Sequence, residues 1–179
     1  MNRQLTLIFS AVLGLLGGIG SHIGAANAAD SVLLTYGFLS MEVPMTDLVA
    51  FAEGSDTSGE IEQLLTLAEQ DPNAVRNALN EPIPANINVL DLALNSPPGE
   101  WMLDRVSETI QPASGEAGRL AMRAALIGAA STDNEITLLE VMQVYPSPAI
   151  VVQGDRLLET YSRISEIIEP LEGLADIFR

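Results

Sequence analysis

The sequence predicts a mainly α protein, a compact bundle of about seven helices with a small two- or three-stranded accessory β-sheet. Three observations lead there. Helix-start signals recur along the chain, and apolar residues follow them at i, i+3, i+4 and i+7. Only three short runs, two near the start and one near residue 150, have strand character.

The chain opens with a leader. Arg3 is the one positive charge of a short polar start, Leu5 to Ile19 is predominantly apolar, and Ala26-Asn27-Ala28 gives the small–x–small pattern of a signal-peptidase site. The apolar run is shorter than the ~20 residues of a spanning helix, and Gly14, Gly17, Gly18 and Gly20 interrupt it. The expectation is a signal peptide over 1–28 and one acidic helical domain over 29–179. Export to a periplasm, a thylakoid lumen or the extracellular space follows, with no membrane association after cleavage. With no cysteine, an exported domain must hold by burial rather than disulfides.

After the leader, Val32 to Tyr36 and Phe38 to Val43 read as two strands bent at Gly37, stopped by Pro44. Thr46 to Glu53 reads as a short helix closed by Gly54. Thr57 and Glu60 form a capping-box pattern ahead of Ile61, Leu64, Leu65 and Ala68. Asp71-Pro72 pairs an N-cap with proline at the first helical position, opening a helix through Leu79. Glu81-Pro82-Ile83-Pro84 must be extended, because each proline disfavours helix in its predecessor.

Asn86 then caps a helix carrying Ile87, Leu90 and Leu94. Ser96-Pro97-Pro98 starts one through Trp101 and Val106 to Ile110. Ser114 is placed to cap Glu116 to Ala130, whose small residues allow close helix approach and suggest the central element. Thr137 and Glu140 form a second capping box, and Tyr145-Pro146 ends that helix. Ala149 to Gln153 is β-branched and expected to pair with the N-terminal strands. Asp155 caps a final helix to about Phe178, broken at Pro170.

Charge and residue inventory then narrow function. The net charge is −16, every one of the 24 acids lies beyond the leader, and all the positive side chains are arginines. Such a surface repels phosphate backbones and anionic headgroups, so nucleic acid is not an expected partner. The acidity suits a cationic partner, a salty compartment or plain solubility. The only histidine, His22, lies in the leader, and lysine and cysteine are absent. This removes Ser–His–Asp triads, thiolate chemistry, Schiff-base lysines and the usual zinc or haem ligand sets from the domain. No cofactor is expected.

Carboxylates remain. Close pairs such as Asp104 and Glu108 are what a helix face dense in acids produces, and the few aromatics do not suggest a sugar cleft. Asp56 to Glu60 and Asp133 to Glu135 gather hard oxygen ligands, but neither has the twelve-residue calcium-loop spacing, and turns and caps explain both. Trp101, Met102, Met142 and Tyr145 could line a groove for an apolar ligand or a partner helix. At helical spacing, such residues are more often core.

Several segments share one resemblance: Leu33-Leu34-Thr35-Tyr36-Gly37, Gly99-Glu100 with Leu103, Ile110-Gln111, Ser114-Gly115, Arg123-Ala124-Ala125-Leu126, and Thr137-Leu138-Leu139 leading to Tyr145-Pro146. Together they resemble a cyanobacterial domain of unknown function. That domain usually stands between a signal peptide and an α/β-hydrolase domain similar to dienelactone hydrolases and platelet-activating-factor acetylhydrolases. The resemblance spans nearly all of residues 31–165 and rests on packing and turn residues. It implies a free-standing copy of the accessory domain, with the catalytic serine, acid and histidine belonging to the neighbouring hydrolase.

Three functions are therefore expected, in descending order. The first is a non-catalytic interaction module for an exported hydrolase or another exported protein. The second is a carrier for a small apolar molecule such as a lipid or pigment. The third is a hydrolase working with carboxylates alone.

Overall fold

The computed structural model describes residues 28–55 and 59–157. The hairpin comes first. Strands β1 (Ser31–Tyr36) and β2 (Leu39–Pro44) pair antiparallel, from Ser31 opposite Pro44 to Tyr36 opposite Leu39. Gly37 and Phe38 close it, and Gly37 takes φ +57°, a conformation that a two-residue hairpin turn requires and glycine adopts freely. Helices α1 (Met45–Ala52), α2 (Glu60–Leu67) and α3 (Pro72–Asn80) follow, then the two-residue strand β3 (Ile83–Pro84). Next come α4 (Ile87–Leu94), α5 (Pro97–Ser107), strand β4 (Ile110–Pro112) and α6 (Gly118–Ala130). The short β5 (Glu135–Ile136), α7 (Leu138–Gln143) and β6 (Ala149–Gln153) lead to a helical stretch over 154–157.

Local cap chemistry sets most helix starts. The Asp71 carboxylate accepts the Asn73 N–H at 2.9 Å, and Asn86 Oδ1 accepts from Asn88 and Val89. Ser96 Oγ accepts from the Gly99 N–H. Thr137 and Glu140 complete a reciprocal capping box, each side chain accepting the other's backbone N–H. Four starts differ from expectation. Helix α1 opens at Met45, one residue before Thr46, and α2 opens at Glu60 behind Gly59, which takes φ +76° and makes no side-chain cap, in place of the Thr57–Glu60 capping box. Helix α6 opens at Gly118 behind Ala117, which has φ +56° and makes no side-chain cap, while Ser114 Oγ accepts only from the Glu116 N–H at 3.4 Å. The last helical stretch begins at 154, one residue ahead of Asp155. Thr57, the continuation to Phe178, Pro170 and the leader lie outside the described residues.

The fold class itself needs correction. The protein is an α/β mix and not a helical bundle with a small accessory sheet. A four-stranded mixed sheet has the order β2-β1-β6-β4, with β6 parallel to β1 and antiparallel to β4. A second, two-stranded sheet joins β3 to β5, pairing Ile83 with Ile136. The expected pairing of residues 149–153 with the N-terminal strands occurs, on β1. What changes the architecture is β4. Ile110 falls in phase with the apolar stripe of α5 and reads as its last turn, yet α5 stops at Ser107 and Ile110 pairs with Val152.

Val32, Val43, Ile110, Ile150 and Val152 share one sheet face and are buried against the helices. Each such side chain contributes about 1.5–3 kcal/mol of transfer free energy. Opposite them, α6 buries Ala121, Met122, Ala125, Ala129 and Ala130, so its small residues do hold the centre. Close approach is tightest where α5 meets α4. Gly99 lies so near the α4 backbone that an added Cβ would fall 2.0 Å from the Ala93 carbonyl oxygen. Arg76 binds three helices together: its guanidinium stacks 4.4 Å from the Phe51 ring centroid, donates to the Phe51 carbonyl and pairs with Glu62 at 2.7 Å.

Candidate functional site

The four residues proposed to line an apolar groove separate into two environments. Tyr145 and Met142 are core, 0 % and 1 % exposed, whereas Trp101 and Met102 on α5 are 63 % and 47 % exposed. They do not come together. The phase of α5 explains this: its buried stripe passes through Gly99 and Leu103, and Trp101 stands two residues from each, off that face. Tyr145 instead fills the space at the end of α7. Its hydroxyl donates over long distances to the carbonyls of Ile110 and Gly118, at 3.4 and 3.5 Å, and burial pushes its pKa from the ordinary 10.0 to about 12.

The oxygen-rich turn at Asp133 is a structural junction. Asp133 accepts the Glu135 N–H at 3.0 Å, Asn134 Oδ1 accepts from Ile87, and the Asn134 carbonyl accepts from Ala85. These bonds tie the start of α4 to the β5 turn. Among the described residues no three acids, histidines or cysteines gather as a metal site, and Asp56, Thr57 and Ser58 lie outside them.

The arrangement that sequence reasoning did not identify is a polar groove between α5 and α6. It encloses about 420 Å³ open to solvent, with Glu100 and Asp104 on one wall and Arg119, Leu120 and Arg123 on the other. Arg119 Nε donates to Asp104 at 2.6 Å, and its Nη1 reaches Glu100 at 3.4 Å. Arg123 Nη2 donates to the Leu94 carbonyl at 3.0 Å and lies 3.8 Å from Glu100, while its Nε is buried without a partner. Farther along, Glu108 lies between Arg105 and Arg156 at 3.8 and 3.7 Å. The signal was available. Glu100 and Asp104 are four apart on one helix, and so are Arg119 and Arg123 on another, which puts each pair on a single face.

Chemically, the groove holds two carboxylates engaged by two guanidinium groups and contains no nucleophile beside a base. A second open groove, about 430 Å³, is lined by Ala28, Ala29, Asp30, Met45, Thr46, Val49 and Gln143. A serine does stand at a strand-to-helix turn, Ser114 between β4 and α6, where hydrolases of mixed sheets carry a nucleophile. The Gly-x-Ser-x-Gly pattern is missing there, and no histidine follows. None of the described helices is long and apolar enough to cross a membrane.

A family profile described as an alpha/beta hydrolase of unknown function, DUF1400, matches residues 28–153. No curated protein and no solved structure matches the chain.

Proposed function

The chain belongs to this family of alpha/beta hydrolases of unknown function, and on that premise we propose that residues 28–153 act as a non-catalytic module. In this reading the module docks beside a hydrolase catalytic domain in an exported compartment. One observation carries it: between residues 28 and 153 there is no histidine, cysteine or lysine. Ester or amide hydrolysis by a serine needs a neighbouring base to take its proton. Among the described residues, Ser114 Oγ has only the Glu116 backbone N–H within hydrogen-bond distance. Export rests on the leader over 1–28, with its apolar run and its Ala26-Asn27-Ala28 site.

Two measurements test this. The purified chain should hydrolyse chromogenic esters no faster than buffer, and Ser114→Ala should leave that rate unchanged. Turnover abolished by Ser114→Ala, or by one Asp or Glu substitution, overturns the reading. Used as bait in an exported-protein fraction, the chain should recover a protein that fluorophosphonate labels at its serine. A bound fraction with no labelled protein removes the hydrolase partner. N-terminal sequencing of the exported chain should begin at Ala29.

A further inference from the structure

We propose that the outer face of α5 and α6 is a self-association surface, meeting the same face of a second copy of this chain across a two-fold axis. The first argument is composition. Trp101 and Leu120 are each 63 % exposed, with Met102 beside Trp101. Leu120 lines the α5–α6 groove, and Trp101 is one turn from Asp104 on the groove's other wall. A single exposed leucine is ordinary, but tryptophan, methionine and arginine together are what the buried centres of protein interfaces concentrate.

The second argument is charge. The chain carries −16, yet four of the five arginines among the described residues gather on one face. Arg105, Arg119, Arg123 and Arg156 all lie against Glu100, Asp104 and Glu108, four guanidiniums to three carboxylates. Elsewhere among the described residues Arg76 is the only arginine, and it is held by Glu62. This face is therefore near neutral on a polyanion.

Neutrality matters for a two-fold contact because each group near the axis meets its own kind. An uncompensated acid there would be doubled, whereas an exposed Arg–carboxylate pair can exchange partners across the axis at little cost. A cationic partner, by contrast, would be steered to surfaces of excess negative charge and not to this near-neutral face.

Size sets the strength. Helices of 11 and 13 residues, each about 10 Å wide, present a patch roughly 20 Å on a side. Its area is about half of the ~800 Å² per partner in a standard interface, the size of a weak, transient contact.

Trp101 is the only tryptophan, so its emission reports this face alone. Sedimentation equilibrium of the exported chain, from Ala29 onward, should show a monomer–dimer exchange, with Trp101 emission moving to shorter wavelength as concentration rises. Leu120→Asp should weaken the dimer at least about tenfold, a loss of one interface anchor, while far-UV circular dichroism stays unchanged. Added NaCl should tighten it by screening the repulsion between the acidic surfaces outside the contact, since the screening length is already ~10 Å at 0.1 M. A chain that stays monomeric, a Trp101 spectrum indifferent to concentration, a dimer untouched by Leu120→Asp, or a dimer loosened by salt each overturns the proposal.

Discussion

Replacing Gly99 by alanine adds one methyl group at the point where α5 and α4 come closest. The new Cβ would stand 2.0 Å from the Ala93 carbonyl oxygen, 2.8 Å from its carbon and 2.9 Å from Leu94 Cα. Ordinary carbon contacts begin near ~3.5 Å, so the two helices must separate by about 1 Å or more. All three neighbours are backbone atoms, which cannot rotate away as a side-chain tip would. Overpacking of this kind costs about 1–3 kcal/mol or more. Shifting the first turn of α5 also strains the Ser96 cap on the Gly99 N–H, worth about 1 kcal/mol. The helix-propensity gain of alanine over glycine returns up to about 1 kcal/mol, leaving a net loss of about 1–3 kcal/mol. Urea unfolding followed by far-UV circular dichroism should read that loss, with a fall in Tm of about 3–10 °C. Gly118→Ala is the matched control: its Cβ would meet Ser107 Cβ at 3.4 Å, an ordinary contact, and stability should hold or rise slightly. If Gly99→Ala proved as stable as the parent, the close approach of α4 and α5 would be wrong.

Tyr145→Phe removes two long hydrogen bonds and should cost about 1 kcal/mol at neutral pH. It should also flatten the alkaline limb of stability. The folded-state pKa of about 12 lies above the unfolded 10.0, so the contribution is complete below about pH 10 and lost as pH rises toward about 12. The difference amounts to about 3 kcal/mol, readable in urea midpoints of the parent against the variant. Arg76→Met keeps much of the packing on Phe51 but loses the bonds to its carbonyl and to Glu62, and should lower stability by about 1–2 kcal/mol in chemical denaturation. Thr137→Ala breaks the capping box at α7 and should cost about 1 kcal/mol in the same assay. A Thr137→Ser change should recover most of it.

What was legible in the sequence is what is decided locally. Asp71, Asn86, Ser96 and Thr137 reach N–H groups two or three residues ahead, so their role needs nothing from the rest of the chain. Strand β6 is legible because Ile150-Val151-Val152 is β-branched. Strand β4 is not, since three residues carry no period and only the distant Val152 makes Ile110 a strand residue. The same limit governs the site. Trp101 and Tyr145 look alike as large aromatic residues near helix ends, and the tertiary fold alone sends one outward and buries the other. The α5–α6 groove was half visible: each spacing of four was in the sequence, but the meeting of the two helices was not.

The limits of the family match coincide with the limits of the sheet. The match runs from 28 to 153, β1 begins at Ser31 and β6 ends at Gln153. Because β6 inserts between β1 and β4, the last matched strand closes on the first, and every helix from α1 to α7 lies in the chain between them. A parallel β1–β6 pair cannot form until that whole stretch has been made and its ends brought together, which places a large loop-closure entropy ahead of the sheet. The matched segment is thus closed by its own first and last strands.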